Sequence, residues 1–394
     1  MFQAGCQKCP PISVLQWKPE DSNWHRRRVR SDDFHNSDSG QAIYAESQIC
    51  ILLASANEIR ACNSCRNSLS EAFCIPKIWW SEYCRNSNGY LGSEVTRHNG
   101  AITGLSTWAY FEVKHLDAQM CYQWYKMNIF IRWLAPTKQT IILAFDTKSP
   151  ILERLPNSLQ DPDSRCLGDP FWVYARLASD VVDLQDSAVW AIRNQVRAIE
   201  TERKPMGKPQ PDYRHLHDVA RHAIHVTESL NVAAESMGGI LAQHEEFLNQ
   251  FFPTQMIRPD TSEAIHHQLL FYRRMLSNLR HRSVSNRERL QNEIQLAFNT
   301  VAQYDAGISV QIGRAAQSDG AAMRKVAFVT MMFLPATFLS AVFSMSFFDF
   351  QADSDSWTVS SKFWIYWVFA IPITIATSLL WNFWHKIFPL TPVG

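Results

Sequence analysis

The sequence predicts an α+β cytosolic domain, a small β-sheet with helices, followed by a very long stalk helix that runs into a two-helix transmembrane hairpin. Three observations carry that prediction. Two runs of 22 residues, Ala327 to Phe348 and Phe363 to Trp384, contain no charge. Short β-rich runs lie between about 120 and 147. From Ser262 to Arg324 there is no proline, and apolar residues recur there at heptad spacing.

Residues 1–104 are left unassigned. Met1 to Glu20 has neither a continuous apolar core nor a small-residue cleavage site, so no signal peptide is expected. Glu20, Asp21, Asp32 and Asp33 do not suit an Arg-rich transit peptide. Up to about residue 40 the composition reads as a poorly ordered lead-in, clearest in "SDDFHNSDSG". "HRRRVR" at 25–30 fits a solvated charge run better than a localisation or headgroup patch. Two CxxC pairs, Cys6/Cys9 and Cys62/Cys65, have the local spacing of zinc modules. More than fifty residues separate the pairs, outside the usual ribbon spacing. The nine cysteines are expected as reduced thiols in the cytosol.

The α/β domain is expected over 105–261. "MNIFIRWL" and "QTIILAF" read as strands joined by "APTK" in a hairpin. Val173, Leu177, Val181, Leu184, Ala188 and Ala191 then recur at three and four, the period of a helix. Asp169 before Pro170 has the chemistry of its N-cap. "KPMGKPQP" breaks the chain before a second helix, roughly Tyr213 to Asn249, and "FFPTQMIRPDTS" turns into the stalk.

The stalk is expected over 262–326, with Ile265, Leu269, Tyr272, Leu276 and Leu279 on one seam. Leu290, Ile294, Ala297, Val301, Tyr304 and Ile308 repeat the spacing after the charged interruption "RHRSVSNRER". No break separates it from the first apolar run. A rod of some eighty residues would be about 120 Å long. Such a helix needs partners along its apolar seam.

Each charge-free run can cross a ~30 Å hydrocarbon core at about 1.5 Å per residue. The spans are set at 327–348 and 363–384, the loop between them at 349–362, and a tail at 385–394. The loop carries Asp349, Asp353 and Asp355 against a single Lys362. Arg324 and Lys325 before the first span, with His385 and Lys386 after the second, place both termini in the cytosol. The plasma membrane is the expected location. Trp357, Trp364 and Trp367 mark one interface, Trp381 and Trp384 the other. Pro335 should bend the first span.

Met323-Arg324-Lys325, then Phe333-x-Pro335-x-Thr337-Phe338, then Phe343-Ser344-Met345-Ser346 resembles the CorA family of divalent cation channels. In that family the first span reads Met-Lys, Phe-x-Pro-x-Thr-Phe and Tyr-Gly-Met-Asn, with the same proline-to-motif spacing. The resemblance covers about 105–394, and "RHAIHVTESLNVA" and "DPFWVYARL" look like its fungal branch in particular. It implies a homopentamer with span one inside and a divalent cation, Mg²⁺ or another, as the transported ligand. It also makes Ser344, Met345 and Ser346 the selectivity motif, where the family has Gly-Met-Asn. A serine hydroxyl can accept from a metal-bound water, but it is shorter than asparagine and its dipole is weaker. The altered motif therefore leaves a zinc-type or broad-range transporter, and a non-conducting scaffold, as alternatives.

The residues point to a similar path. Two spans cannot enclose water, so conduction requires a ring. Three/four spacing places Met323, Val326, Thr330, Leu334, Thr337, Ala341 and Ser344 on one stripe, alternating apolar and hydroxyl rings. Apolar constrictions of this kind can gate by dewetting. The simpler reading has each hydroxyl bonding a carbonyl one turn back. Asp349, Asp353 and Asp355, repeated round a ring, would concentrate cations at the mouth.

In the domain, His215, Asp218, His222 and His225 are spaced 3, 4 and 3, and Leu216, Ala220, Ala223 and Leu230 are placed on the opposite side. Imidazole and carboxylate at that spacing could bind a transition metal; a solvated or subunit-facing polar stripe is the simpler reading. A net charge of +1 gives no field for nucleic acid. There is no GxxxxGK[ST], and "HEEF" at 244–247 lacks a second histidine, so ATP coupling and catalysis are not expected. The partners expected are other copies of the chain and the lipid bilayer.

Overall fold

Seven strands build one sheet: β1 (Ile12–Lys18), β2 (Asn23–Val29), β3 (Ile49–Ala54), β4 (Gly89–His98), β5 (Ala101–Leu116), β6 (Tyr122–Leu134) and β7 (Gln139–Phe145). The computed structural model describes residues 9–18, 20, 23–34, 47–117, 120–146, 151–160, 165–202, 208–251, 259–343, 348–351 and 356–387. The strand order is β2-β1-β3-β7-β6-β5-β4. Only β3 and β7 pair in parallel; the other five pairs are antiparallel.

The sheet corrects the boundary expected at 104/105, which falls inside β5, and four of the seven strands lie before it. "HRRRVR" is not in a disordered lead-in. It belongs to β2, an edge strand paired with β1, whose Arg26, Arg27 and Arg28 are exposed. Charges on an outer strand discourage edge-to-edge pairing with other chains. The hairpin expected over "APTK" forms, between β6 and β7. A second one, β4–β5, turns on Asn99 and Gly100, both with positive φ (50° and 81°). That backbone is favourable for Asn-Gly in a two-residue loop.

Alternation along the strands divides the apolar side chains between two cores. Ile49, Ile51, Ile142 and Ala144 face one side, while Cys50, Leu52, Ile141, Leu143 and Phe145 face the other. The second face is covered by α1 (Ala56–Ala61), α2 (Asn63–Phe73) and a 3-10 turn, Lys77–Trp80, which buries Trp79. A short helix α3 (Glu82–Asn86) leads into β4. The first face is larger and carries α4 (Ile151–Ser158), α5 (Trp172–Thr201) and α6 (Tyr213–Phe251). Asp169 does not cap α5 at its first turn. Asp169 lies three residues before the helix begins, its Oδ1 accepts from Phe171 N at 3.0 Å, and its second oxygen meets a buried histidine.

The next helix, α7 (Pro259–Phe343), runs for 85 residues and is continuous through the expected stalk and most of the first span. The chain divides into two compact units, Met1–Phe298 and Asn299–Gly394, with the division inside α7. In the first unit the seam packs on the domain itself, rather than needing other chains. Ile265, Leu269, Leu276, Leu279 and Leu290 are buried in the larger core. The charged stretch 280–289 keeps the seam through small polar residues. Ser283 Oγ lies 2.8 Å from Thr227 Oγ1, and Asn286 Nδ2 donates to Val189 O at 3.3 Å. Its cations meet α5: Arg289 pairs with Glu200, and Arg282 lies 4.4 Å from the Trp190 ring centre.

From Asn299 onward α7 has a different character. Tyr304, Ile308, Val310 and Ile312 are exposed in the chain. Gly307, Gly313 and Gly320 have nothing beyond the helix's own nearby backbone within 4 Å of where a Cβ would stand. The described helix runs to Phe343, and Phe348, the expected end of the span, lies in a strand. Inside the expected loop, β8 (Phe348–Gln351) pairs antiparallel with β9 (Ser356–Val359). The last helix, α8, runs Trp364–Ile387.

Candidate functional site

Among the described residues, two helical segments are long and apolar enough to cross a membrane, one ending α7 and the other in α8. They form an antiparallel hairpin. The Phe328 and Trp381 rings are 5.4 Å apart, and Tyr366 donates its hydroxyl to Ala336 O at 3.2 Å. Pro335, Ala336 and Leu339 are partly covered. Met323, Val326, Thr330, Leu334 and Thr337 are all exposed, Leu334 at 60% and Met323 at 73%. At about 100° per residue, their stripe is centred roughly 160° round the helix from the Phe328/Ala336 direction. The stripe read from spacing thus lies on the face of α7 turned away from α8.

The hydroxyls on α7 bond within the helix. Thr330 donates to Val326 O at 2.9 Å, Thr337 to Phe333 O at 2.9 Å, and Ser340 to Thr337 O at 3.1 Å. A hydroxyl that donates inward keeps its lone pairs for a cation or its waters, so this geometry presents acceptors and no donor. The selectivity motif, Ser344, Met345 and Ser346, lies outside the described residues, as do Asp353 and Asp355. Asp349 falls in β8, in register with Thr358.

The polar stripe of α6 is divided between a cavity and a lysine. His215, Asp218 and His222 border a cavity of about 590 Å³ together with Met120, Tyr122 and Arg221. His222 is buried beside Leu216, Val219 and Ala223, so the stripe adjoins the apolar face instead of opposing it. His225 Nδ1 lies 2.7 Å from the Lys114 ammonium, which also sits over the Tyr122 ring at 4.3 Å and the Trp124 ring at 5.3 Å. Burial, then Lys114 and Arg221, push His222 down to about 4. His225 is lowered by burial and then by Lys114. A resident ammonium beside His222 and His225 disfavours a second cation there, which weighs against the metal reading of His215, Asp218, His222 and His225.

One polar cluster has no signal in the local sequence. His244 Nε2 is 2.8 Å from Asp169 Oδ2, with the two side chains 0% and 1% exposed. On its other side His244 Nδ1 lies 3.3 Å from His266 Nδ1, on α7. Burial and then His244 lower His266. "HEEF" therefore supplies a tether between α6, the segment before α5, and the start of α7.

Fold and site together define a class: an α/β sheet domain joined by one continuous helix to a hairpin suited to a bilayer. No family model matches the chain. Notoamide biosynthesis cluster protein M′ of Aspergillus versicolor is 31% identical over 290 residues, which are 69% of this chain and 61% of that protein. The chain thus spans about three-fifths of that relative's length. Among solved structures, full-length CmaX is similar over 96% of this chain and 98% of its own, with 13% identity and a TM-score of 0.43. The ZntB cytoplasmic domain from Vibrio parahaemolyticus covers 72% of this chain and 98% of its own, with 6% identity and a TM-score of 0.40. Likenesses this loose assign no function.

Proposed function

We propose that the chain is one subunit of a passive divalent-cation channel of the CorA-like class, with the end of α7 lining the path in a ring of five. The observation that carries this reading is the stripe of Met323, Val326, Thr330, Leu334 and Thr337, exposed and turned away from α8. The motif resemblance of 323–346 supports it independently. An inside-negative potential of 100 mV contributes roughly 2.3 kcal/mol per elementary charge, about 4.6 kcal/mol for a divalent ion, so no ATP site is needed. Both termini would face the cytosol, with the plasma membrane as the site of action. Asp349, Asp353 and Asp355 would gather cations at the outer mouth, and the Ser346 hydroxyls would meet their hydration water.

Serine holds that water more weakly than asparagine, so Mg²⁺ preference should be poor and the transport range broad. The test is flux into liposomes with Mg²⁺, Zn²⁺, Ni²⁺ and Co²⁺ in competition. Ser344→Gly combined with Ser346→Asn should sharpen Mg²⁺ preference without altering assembly. Identical preference in the parent and the double variant would move the filter elsewhere. A second reading, a non-conducting scaffold, is favoured by the change of the motif to Ser344-Met345-Ser346. It wins if the parent conducts nothing and the double variant conducts.

A further inference from the structure

The two CxxC pairs, too far apart in sequence for a zinc ribbon, are brought together by the fold. The sulfur atoms of Cys9, Cys62 and Cys65 all lie within 4.8 Å of one another. They come from two separate segments. Cys9 stands just before β1, behind Pro10 and Pro11, while Cys62 and Cys65 flank the start of α2. We propose that these three thiolates bind a zinc ion that fastens the chain before β1 to the α1–α2 turn.

The geometry suits a soft, tetrahedral ion. Zn–S bonds of about 2.3 Å put the sulfurs of a tetrahedral site about 3.8 Å apart, inside the 4.8 Å that bounds these three. A disulfide joins only two sulfurs, at about 2.05 Å; three converging thiols match coordination better. Cys62 is the N-cap residue of α2 and Cys65 lies in its first turn, at the end of the helix whose dipole offsets negative charge.

Shelter comes from the smaller core. Cys65 is buried in it with Leu69 and Phe73, and Cys9 and Cys62 pack against its edge. Two consecutive prolines stiffen the approach to Cys9 and reduce the entropy lost on binding. Cys6 stands in CxxC spacing with Cys9 and lies outside the described residues. The site is remote in kind from the cation path. Thiolate donors select zinc over magnesium, so its ion is structural rather than cargo.

The experiment uses the full chain, purified in detergent under reducing conditions without added metal, and measures bound metal by mass spectrometry of the elements. About one zinc per chain is expected. Cys9→Ala, Cys62→Ala and Cys65→Ala should each lower it at least tenfold, and Cys121→Ala should leave it unchanged. Should those variants fail to fold, the parent stripped by chelator and refilled with Co²⁺ decides. Thiolate-to-cobalt charge-transfer absorption with tetrahedral visible bands, abolished by Zn²⁺, supports the site. A parent without metal that develops no such absorption overturns it. So does a Cys62→Ala chain that keeps its full zinc, or an intact mass two hydrogens light that marks a disulfide among the three.

Discussion

Residues 262–298 and 299–343 belong to one unbroken helix, yet they meet opposite environments. The first stretch buries Ile265, Leu269, Leu276, Leu279 and Leu290 in its own domain. The second leaves Ile308, Ile312, Val326 and Leu334 uncovered within the chain. Heptad spacing is the same chemical pattern in both, so spacing alone says that a face needs covering and not what covers it. The domain is the partner of the first stretch. Lipid and neighbouring subunits are the partners that the proposed ring gives to the second.

The contrast can be broken hardest at the tether. Asp169→Ala strips a fully buried His244 of its carboxylate and should destabilise the domain by about 3–5 kcal/mol. Urea unfolding followed by tryptophan emission would register the loss, while the apolar hairpin keeps its helicity by circular dichroism. Next comes a matched pair. Leu269→Ala should lower domain stability by about 2–5 kcal/mol, whereas Ile312→Ala should stay within about 0.5 kcal/mol and weaken assembly instead. Equal losses of domain stability in the two variants would show that both stretches have the same partner.

A smaller effect, of about 2 kcal/mol after screening by water in the adjoining cavity, should appear with pH. His222 stays neutral in the folded chain down to about 4, while the unfolded chain protonates it near 6.5. The unfolded state therefore binds more protons between those values, and stability falls as pH drops through that window. His222→Gln should flatten this part of the stability profile, and an unchanged slope would assign the acid sensitivity to other groups. The smallest expected effect is in the hairpin. Tyr366→Phe removes the bond to Ala336 O and should cost about 1 kcal/mol, read as faster hydrogen exchange near residue 336.

Much of this architecture was legible where periodicity is strong and local. The β6–β7 hairpin, α5, α6 and the unbroken α7 all follow from spacing, and so does the stripe opposite α8. The first four strands were harder to read. In β2, Arg26, Arg27 and Arg28 give a composition that suggests solvated coil, because an edge strand and a disordered tail use charge alike. Asn99-Gly100 did carry a hairpin signature inside the unassigned stretch. The Asp169–His244 pair joins residues 75 apart, and Cys9 meets Cys62 only after β1 and β3 have paired. Contacts of that range leave no mark in a local pattern.

Gly307, Gly313 and Gly320 give α7 an uneven stiffness. Each lowers helix propensity by about 1 kcal/mol relative to alanine, so roughly 3 kcal/mol of weakness is concentrated in a few turns where no other part of the chain packs against the glycines. Such a stretch acts as a spring in series with two stiffer ones. Bending or twisting applied at either end is absorbed there first, and the elastic constant of the whole helix is set by its most yielding few turns.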